Sequence, residues 1–326
     1  MRKRHFLFAS ALALLCSSGA LHAQDFKLTS SGYFKNQGVD VMAFDDIYPE
    51  GHQGGVCIIM NGHRVATNGD IRLEATPGQW QPVPKQLDRK LGDNSITATL
   101  CYPDSSRHLT GFNPMIYPDL HLIYTVNVES KGKNIEVTVD LDRPIPQEFI
   151  GKVGFNLEFF PGSLFGKPWI MDGQSGIFPQ QPNSPLMTTQ PNYLHTGNYH
   201  DGKKSLADMD KLIGKGYSPI VADDIISEPY AKGTKFTSRP DDPYNKVTIE
   251  SLSGDLQLFD GRMNHNNGWF VLRSNIKPGV TKGAVKWIIT PNVVADWMYQ
   301  PVIQTSQIGY HPTQDKEAVI EMDIRD

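Results

Sequence analysis

Cysteine is scarce in this sequence, with three residues in 326. That count excludes a small scaffold stapled by disulfides. The short motifs of several common chemistries are missing too. There is no glycine-rich phosphate loop, no CxxC pair, no HExxH helix and no GxSxG elbow. The plainest nucleotide, zinc-protease and serine-hydrolase readings therefore fall away. Beyond the first residues, no run is long and apolar enough to span a bilayer as a helix. No basic stripe is present and the formal charge is −4, so the surface does not favour a nucleic acid. No acidic loop has EF-hand spacing, and nothing in the sequence demands a cofactor or a metal.

What is present begins with a leader. Arg2, Lys3 and Arg4 precede an apolar run from Phe6 to Leu15, and Leu21-His22-Ala23 follows a stretch of small residues. This is the pattern of a secretory signal peptide over residues 1–23. Export to the periplasm or beyond is the expectation. The leader holds three of the 31 basic residues and none of the 35 acids, so the remainder carries −7. Two cysteines follow the leader, Cys57 and Cys101. Export would permit a disulfide between them, and two buried thiols are the alternative.

From residue 24 to about 300 the dominant pattern is period two. Residues 95–102, 120–128, 135–141 and 153–159 alternate apolar with polar positions, and so do 247–252, 255–259, 269–274 and 284–290. In residues 153–159, Val153, Phe155, Leu157 and Phe159 share one face while Asn156 and Glu158 share the other. Strands of this length between Gly- and Pro-rich turns predict an all-β fold. With about 275 residues this is a large antiparallel β-sandwich or supersandwich. One stretch, residues 205–216, has helical spacing. Residues 161–204 read as a long loop-rich segment, a kind often tied to function.

Candidate functional residues fall in the turns. Glycoside hydrolysis needs two carboxyl groups facing each other. Asp45, Asp46, Glu50, Glu158, Asp172, Asp223, Asp224 and Glu228 are available, although each is more simply a solvated turn acid. His195 and His200, five apart beside Asp201, offer a weak metal pair and more simply a polar loop. Aromatic rings next to amides suit a sugar, because the ring packs on a pyranose face while amides bond its hydroxyls. Trp169 and Asp172 in GKPWIMDGQ, and Asn264, His265, Asn267 and Trp269 in GRMNHNNGWF, are the expected carbohydrate-binding residues. The structural alternative is a pair of tight turns with each Trp filling the core.

The last stretch, Gln307-Ile308-Gly309-Tyr310-His311-Pro312 followed by Ala318-Val319-Ile320, resembles the first strands of the immunoglobulin-like domain of family 9 glycoside hydrolases. The family usually has Asn where this chain has Ser306. The segments WIITPN and VADWMYQPVIQTSQIGY resemble the junction that joins that domain to an N-terminal β module. The resemblance implies a signal peptide (1–23), an N-terminal β-sandwich module (24–300) and the truncated start of the Ig-like domain (301–326). It implies that this chain is the accessory portion of an exported cellulase or endoglucanase acting on β-1,4-glucan. The rest of the Ig-like domain and the helical catalytic barrel would lie in cis. The family's catalytic acids belong to that barrel, and no position here matches them, so no catalytic residue is assigned. Two other readings compete: a free-standing carbohydrate-binding β-sandwich, and an enzyme using carboxylates of the sandwich itself. Residues 301–326 are expected to pack loosely, since so few residues cannot close a sandwich.

Overall fold

The computed structural model describes residues 25–45, 54–74, 77, 84–102, 120–182, 186–188, 225–263 and 268–322. The leader and the expected helix at 205–216 lie outside these residues. In chain order the strands are β1 (Lys27–Leu28), β2 (Phe34–Asn36), β3 (Val39–Ala43), β4 (Val56–Met60), β5 (His63–Leu73), β6 (Lys85–Leu91), β7 (Ser95–Tyr102), β8 (Leu122–Lys131), β9 (Asn134–Leu141), β10 (Val153–Phe159) and β11 (Pro168–Met171). They continue as β12 (Gln174–Ile177), β13 (Leu186–Thr188), β14 (Ile225–Ser227), β15 (Ala231–Gly233), β16 (Lys235–Ser238), β17 (Val247–Ser251), β18 (Leu256–Asp260), β19 (Phe270–Asn275), β20 (Val285–Pro291), β21 (Val302–Thr305) and β22 (Ala318–Glu321).

Two nine-stranded sheets form a large antiparallel sandwich. The first runs β1-β2-β3-β4-β5-β10-β19-β18-β15 and the second β12-β11-β16-β17-β20-β9-β8-β7-β6. Alternation explains the pairing of faces. Ile96, Ala98, Leu100 and Tyr102 on β7, and Ile135, Val137, Val139 and Leu141 on β9, are buried at every second position. They join one core with Val153, Phe155, Leu157 and Phe159 of β10. Aromatic edges lock the sheets together, as where Phe155 meets Trp287 of β20 at 5.0 Å and 82°. The Trp287 indole N–H donates to Ser274 Oγ of β19 at 3.0 Å, which satisfies its buried donor. At one margin Arg89 of β6 crosses to the first sheet and donates to the carbonyl oxygens of Ala43, at 2.9 Å, and Gly32.

The strands expected at 95–102 and 153–159 coincide with β7 and β10. The segment read as loop-rich contains a hairpin, β11–β12, in register Met171↔Gln174. Its two-residue turn, Asp172-Gly173, has φ of 43° and 85°. Asp-Gly is the favoured pair for such a turn because both residues must take left-handed φ.

Of the two readings of Cys57 and Cys101, a bridge or two free thiols, the structure has the free thiols. Cys57 sits on β4 and Cys101 on β7, in different sheets. Their neighbours Ile58 and Leu100 belong to the core between the sheets, so both thiols lie on the outward faces. Packed sheets stand about 10 Å apart, beyond the roughly 7 Å Cα limit for a disulfide.

At the far end, β21 and β22 pair with each other, Val302↔Glu321 to Thr305↔Ala318. Every residue of both strands is exposed, as expected of two strands without a partner sheet. Gly309 takes φ 80°. The Tyr310 hydroxyl accepts from the Ser306 N–H at 3.1 Å and donates to the Glu317 carbonyl, stapling the connection.

Candidate functional site

The outward face of a sandwich sheet is usually wet, but here the central strands of the first sheet are buried and polar on that side. Thr67, Arg72, Asn156, Glu158 and Arg273 are all buried. Register places them in rows. Thr67 pairs with Glu158, which pairs with Val271; Asp70 pairs with Asn156, which pairs with Arg273. Buried polar groups are costly unless partnered, so their partners show what each one does.

The Asp70 row is built mainly for structure. Pairing of β4 with β5 stops at Val56↔Gly69, while β5 continues to Leu73. That leaves backbone N–H groups on an open edge. Asp70 Oδ1 accepts from the Ile71 N–H at 2.7 Å, and the Tyr102 hydroxyl accepts from the Leu73 N–H at 3.3 Å. The Tyr124 hydroxyl, also from the second sheet, donates to Asp70 Oδ1 at 2.8 Å.

Arg273 is fully engaged. Nε donates to Asn275 Oδ1 at 2.7 Å, and Nη1 to Glu74 Oε1 at 3.1 Å and Asn156 Oδ1 at 3.0 Å. Nη2 donates to the carbonyl oxygens of Glu74, at 3.2 Å, and Lys152, at 2.8 Å. Asn156 Nδ2 donates to Glu74 Oε1. Burial pushes the Glu74 carboxyl up to about 7, and the attraction of Arg273 only partly opposes it.

The Glu158 row lies beside a β-bulge in β5. The β5–β10 register slips between Asn156 and Glu158. Gly69 sits at the slip, where a Cβ would stand 2.6 Å from Val56 Cβ, so no larger residue fits. Asn68 just before it takes φ 55°, a strained conformation for a side chain other than glycine. Its amide Nδ2 donates to Glu158 Oε2 at 2.6 Å. Its Oδ1 is buried with no hydrogen-bond partner among the described residues. Cys57 Sγ packs alongside, donating to the Gly54 carbonyl at 3.1 Å and lying 3.1 Å from Thr67 Oγ1. A strained residue that orients a buried carboxylate and keeps an unused acceptor is a candidate binding centre.

The residues singled out in the sequence do not meet in one place. Trp169 of β11 is 6% exposed and its ring packs against Gly176, so it serves the core. Asp172 is a turn residue. Its carboxylate accepts from the Thr234 N–H at 2.5 Å, the Thr234 hydroxyl at 3.1 Å and the Lys235 N–H at 3.0 Å. The Thr234 backbone bond is the first cause holding its carboxyl below the ordinary value. Trp269 is half-buried and meets Phe160 edge-on at 4.4 Å. Asn264, His265 and Asn267 lie outside the described residues, as do Asp46, Glu50, His195, His200, Asp201, Asp223 and Asp224. Asp45 is an exposed partner of Arg89 at 3.7 Å, and Glu228 is exposed.

Glu158 is the one sequence candidate that the fold places in the buried polar face. Asn68, Glu74 and Arg273 were missed. The available signal was a charged residue inside an apolar strand, as in FVLRSN, and Asn-Gly in mid-strand, as in VATNGDI. Among the described residues no group of His, Cys, Asp and Glu is placed to hold a metal. No helix among them is long and apolar enough to cross a membrane.

No family model matches this sequence, and no curated protein matches it. Among solved structures the chain is similar to a galactose mutarotase related enzyme from Lactobacillus acidophilus, with 10% identity and a TM-score of 0.36 over 81% of this chain and 98% of that one. It is similar also to a galactose mutarotase-like protein from Lactobacillus casei, with 11% identity and a TM-score of 0.35 over 80% of this chain and 98% of that one. Both are distant likenesses, and the resemblance to family 9 glycoside hydrolases rests on the residues quoted for it alone.

Proposed function

We propose that this chain is an exported, carbohydrate-binding β-sandwich whose sugar site is the outward face of β5 and β10 at Asn68 and Glu158. One observation carries the reading: the buried Asn68 Oδ1 has no partner among the described residues while the same amide holds the Glu158 carboxylate. A polyhydroxyl ligand supplies what is missing. Both groups are covered, with Asn68 9% and Glu158 3% exposed, so in this reading the face opens to let one hydroxyl donate to Asn68 Oδ1 and a second to Glu158. A buried acceptor left unpaired costs about 1–3 kcal/mol, so a ligand hydroxyl that fills it gains accordingly.

The finer form of the proposal is an accessory module of a glycoside hydrolase acting on β-1,4-glucan. The QIGY stretch and the β21–β22 hairpin that brackets it support this form. In that reading the chain holds polysaccharide and does not cleave it. The test is native electrophoresis of residues 24–326 in gels containing soluble β-glucan, xylan or mannan. Retardation by β-glucan, reduced in Glu158→Gln with the unfolding midpoint kept, is the expected result. Migration unaffected by all three polymers, or by Glu158→Gln, overturns the site. Release of reducing ends from soluble cellulose by the same chain would overturn the non-catalytic part.

A further inference from the structure

A groove of about 700 Å³ separates the sandwich from the terminal hairpin. It opens at the start of β5, whose His63 lines it, and neither Asn68 nor Glu158 is among its lining residues. Its floor comes from the stretch WMYQP, where Trp297 and Tyr299 are half-buried and Met298, which also lines the groove, is 79% exposed. Trp297 lies across Gly38, which has φ 66° and where a Cβ would stand 2.8 Å from the ring. The Gln37 amide donates to the Trp297 carbonyl, fixing the backbone beneath the ring. Tyr299 meets Trp297 at 6.2 Å and 67°, and its hydroxyl donates to Glu321 Oε1 of β22 at 2.7 Å. Across the groove Tyr244 is 50% exposed on a turn, whose carbonyl accepts from Asn61 Nδ2. Three rings are thus presented on backbone that other residues hold in place.

The lining chemistry selects the ligand. Asn61 and Gln300 bring amides to the rings, and Asp296 and Glu321 bring carboxylates. Among the described lining residues there is no Lys or Arg, and His63 is the single base. An anion is therefore disfavoured, and a purely apolar ligand would strand the amides and acids. A neutral polyhydroxyl chain satisfies both demands, with sugar faces on the rings and hydroxyls on the amides and acids. The volume is in the range of small-ligand sites, about 300–1,000 Å³. We infer that this groove is a second binding site, for a neutral oligosaccharide, that works independently of the sheet face.

The experiment is calorimetric titration with cellohexaose, xylohexaose and mannohexaose, made in the Glu158→Gln chain so that the sheet-face site is silent. At least one hexasaccharide is expected to bind. Adding Tyr244→Ala should weaken it about tenfold, the scale of one lost ring contact, and adding Trp297→Ala should abolish it. Tyr244 is a half-exposed turn residue, so its truncation leaves folding intact even where loss of Trp297 does not. The inference is overturned if the Glu158→Gln chain takes up none of the three at millimolar concentration, or if Tyr244→Ala binds as tightly as its parent. Failure of the sheet-face site shows separately, as retardation of the Tyr244→Ala chain that adding Glu158→Gln does not change.

Discussion

Replacing Arg273 by methionine isolates the buried pair on the first sheet. The methionine keeps an unbranched, apolar chain in the same channel but removes every donor. Five hydrogen bonds disappear, to Asn275, Glu74, Asn156 and the carbonyls of Glu74 and Lys152. The consequence depends on whether Glu74 is charged. In the folded chain Glu74 titrates near 7, raised by burial from 4.5. The folded state therefore holds a proton that the unfolded state has released between those values, and stability falls as pH rises through that window, at most by about 1.4 kcal/mol per unit. At pH 8 the wild type contains an ion pair, and removing Arg273 drives the buried carboxyl to take up a proton. The expected loss therefore exceeds that at pH 5 by up to about 1.4 kcal/mol. At pH 5 Glu74 is already neutral, and the loss shrinks to that of neutral hydrogen bonds, about 1–3 kcal/mol. Without the opposing pull of Arg273 the Glu74 carboxyl titrates higher still. Urea unfolding of both proteins at pH 5 and pH 8 reads the difference, and adding Glu74→Gln to Arg273→Met should remove the extra loss at pH 8. A loss equal at the two pH values would refute the argument, and so would one below about 1 kcal/mol at both.

Two further outcomes follow from local geometry. Gly69→Ala forces a methyl to 2.6 Å from Val56 Cβ on the neighbouring strand, so it should destabilise by about 1–3 kcal/mol, the range for overpacking. It should also disturb binding through Asn68, and an unchanged urea midpoint would remove the bulge from the account. Residues 24–326, unfolded without reductant, should titrate two thiols, because Cys57 and Cys101 face opposite sides of the sandwich. A value near zero that rises to two after reduction would show a bridge and contradict the strand placement.

The sandwich was legible because burial repeats every second residue. SITATLCY and VGFNLEF declare their strands, since Ile96, Ala98, Leu100 and Tyr102, or Val153, Phe155, Leu157 and Phe159, must all turn the same way. The same rule, carried one step further, corrects the reading of Trp169. It alternates with exposed Ile170 and buried Met171, so the ring points into the core. Asp172 looked like a ligand for sugar because it neighbours a Trp and a Gln. Its place before Gly173 is the stronger signal, for Asp-Gly between two short strands is a hairpin turn, and the carboxylate then caps Thr234 and Lys235 across the sheet. Those N–H partners lie some sixty residues away and left no trace near Asp172.

The polar face was half legible. Asn156 and Glu158 stand out as the non-core side of β10, but period two says only that they leave the core, not that they enter a second buried layer. That depends on which strands flank β10. Thr67↔Glu158↔Val271 and Asp70↔Asn156↔Arg273 are pairings over 86 to 117 positions, fixed by long-range register. What the sequence does carry is local incongruity. Arg273 interrupts the apolar run FVL, and Asn68-Gly69 interrupts an eleven-residue strand. Each of these should weaken a strand, and a chain that retains them must recover the loss elsewhere. At Arg273 the recovery is visible in five hydrogen bonds. At Asn68 it is incomplete, with strained φ and an unpaired Oδ1, and that deficit makes the bulge, rather than the better-satisfied arginine, the place where a ligand has most to contribute.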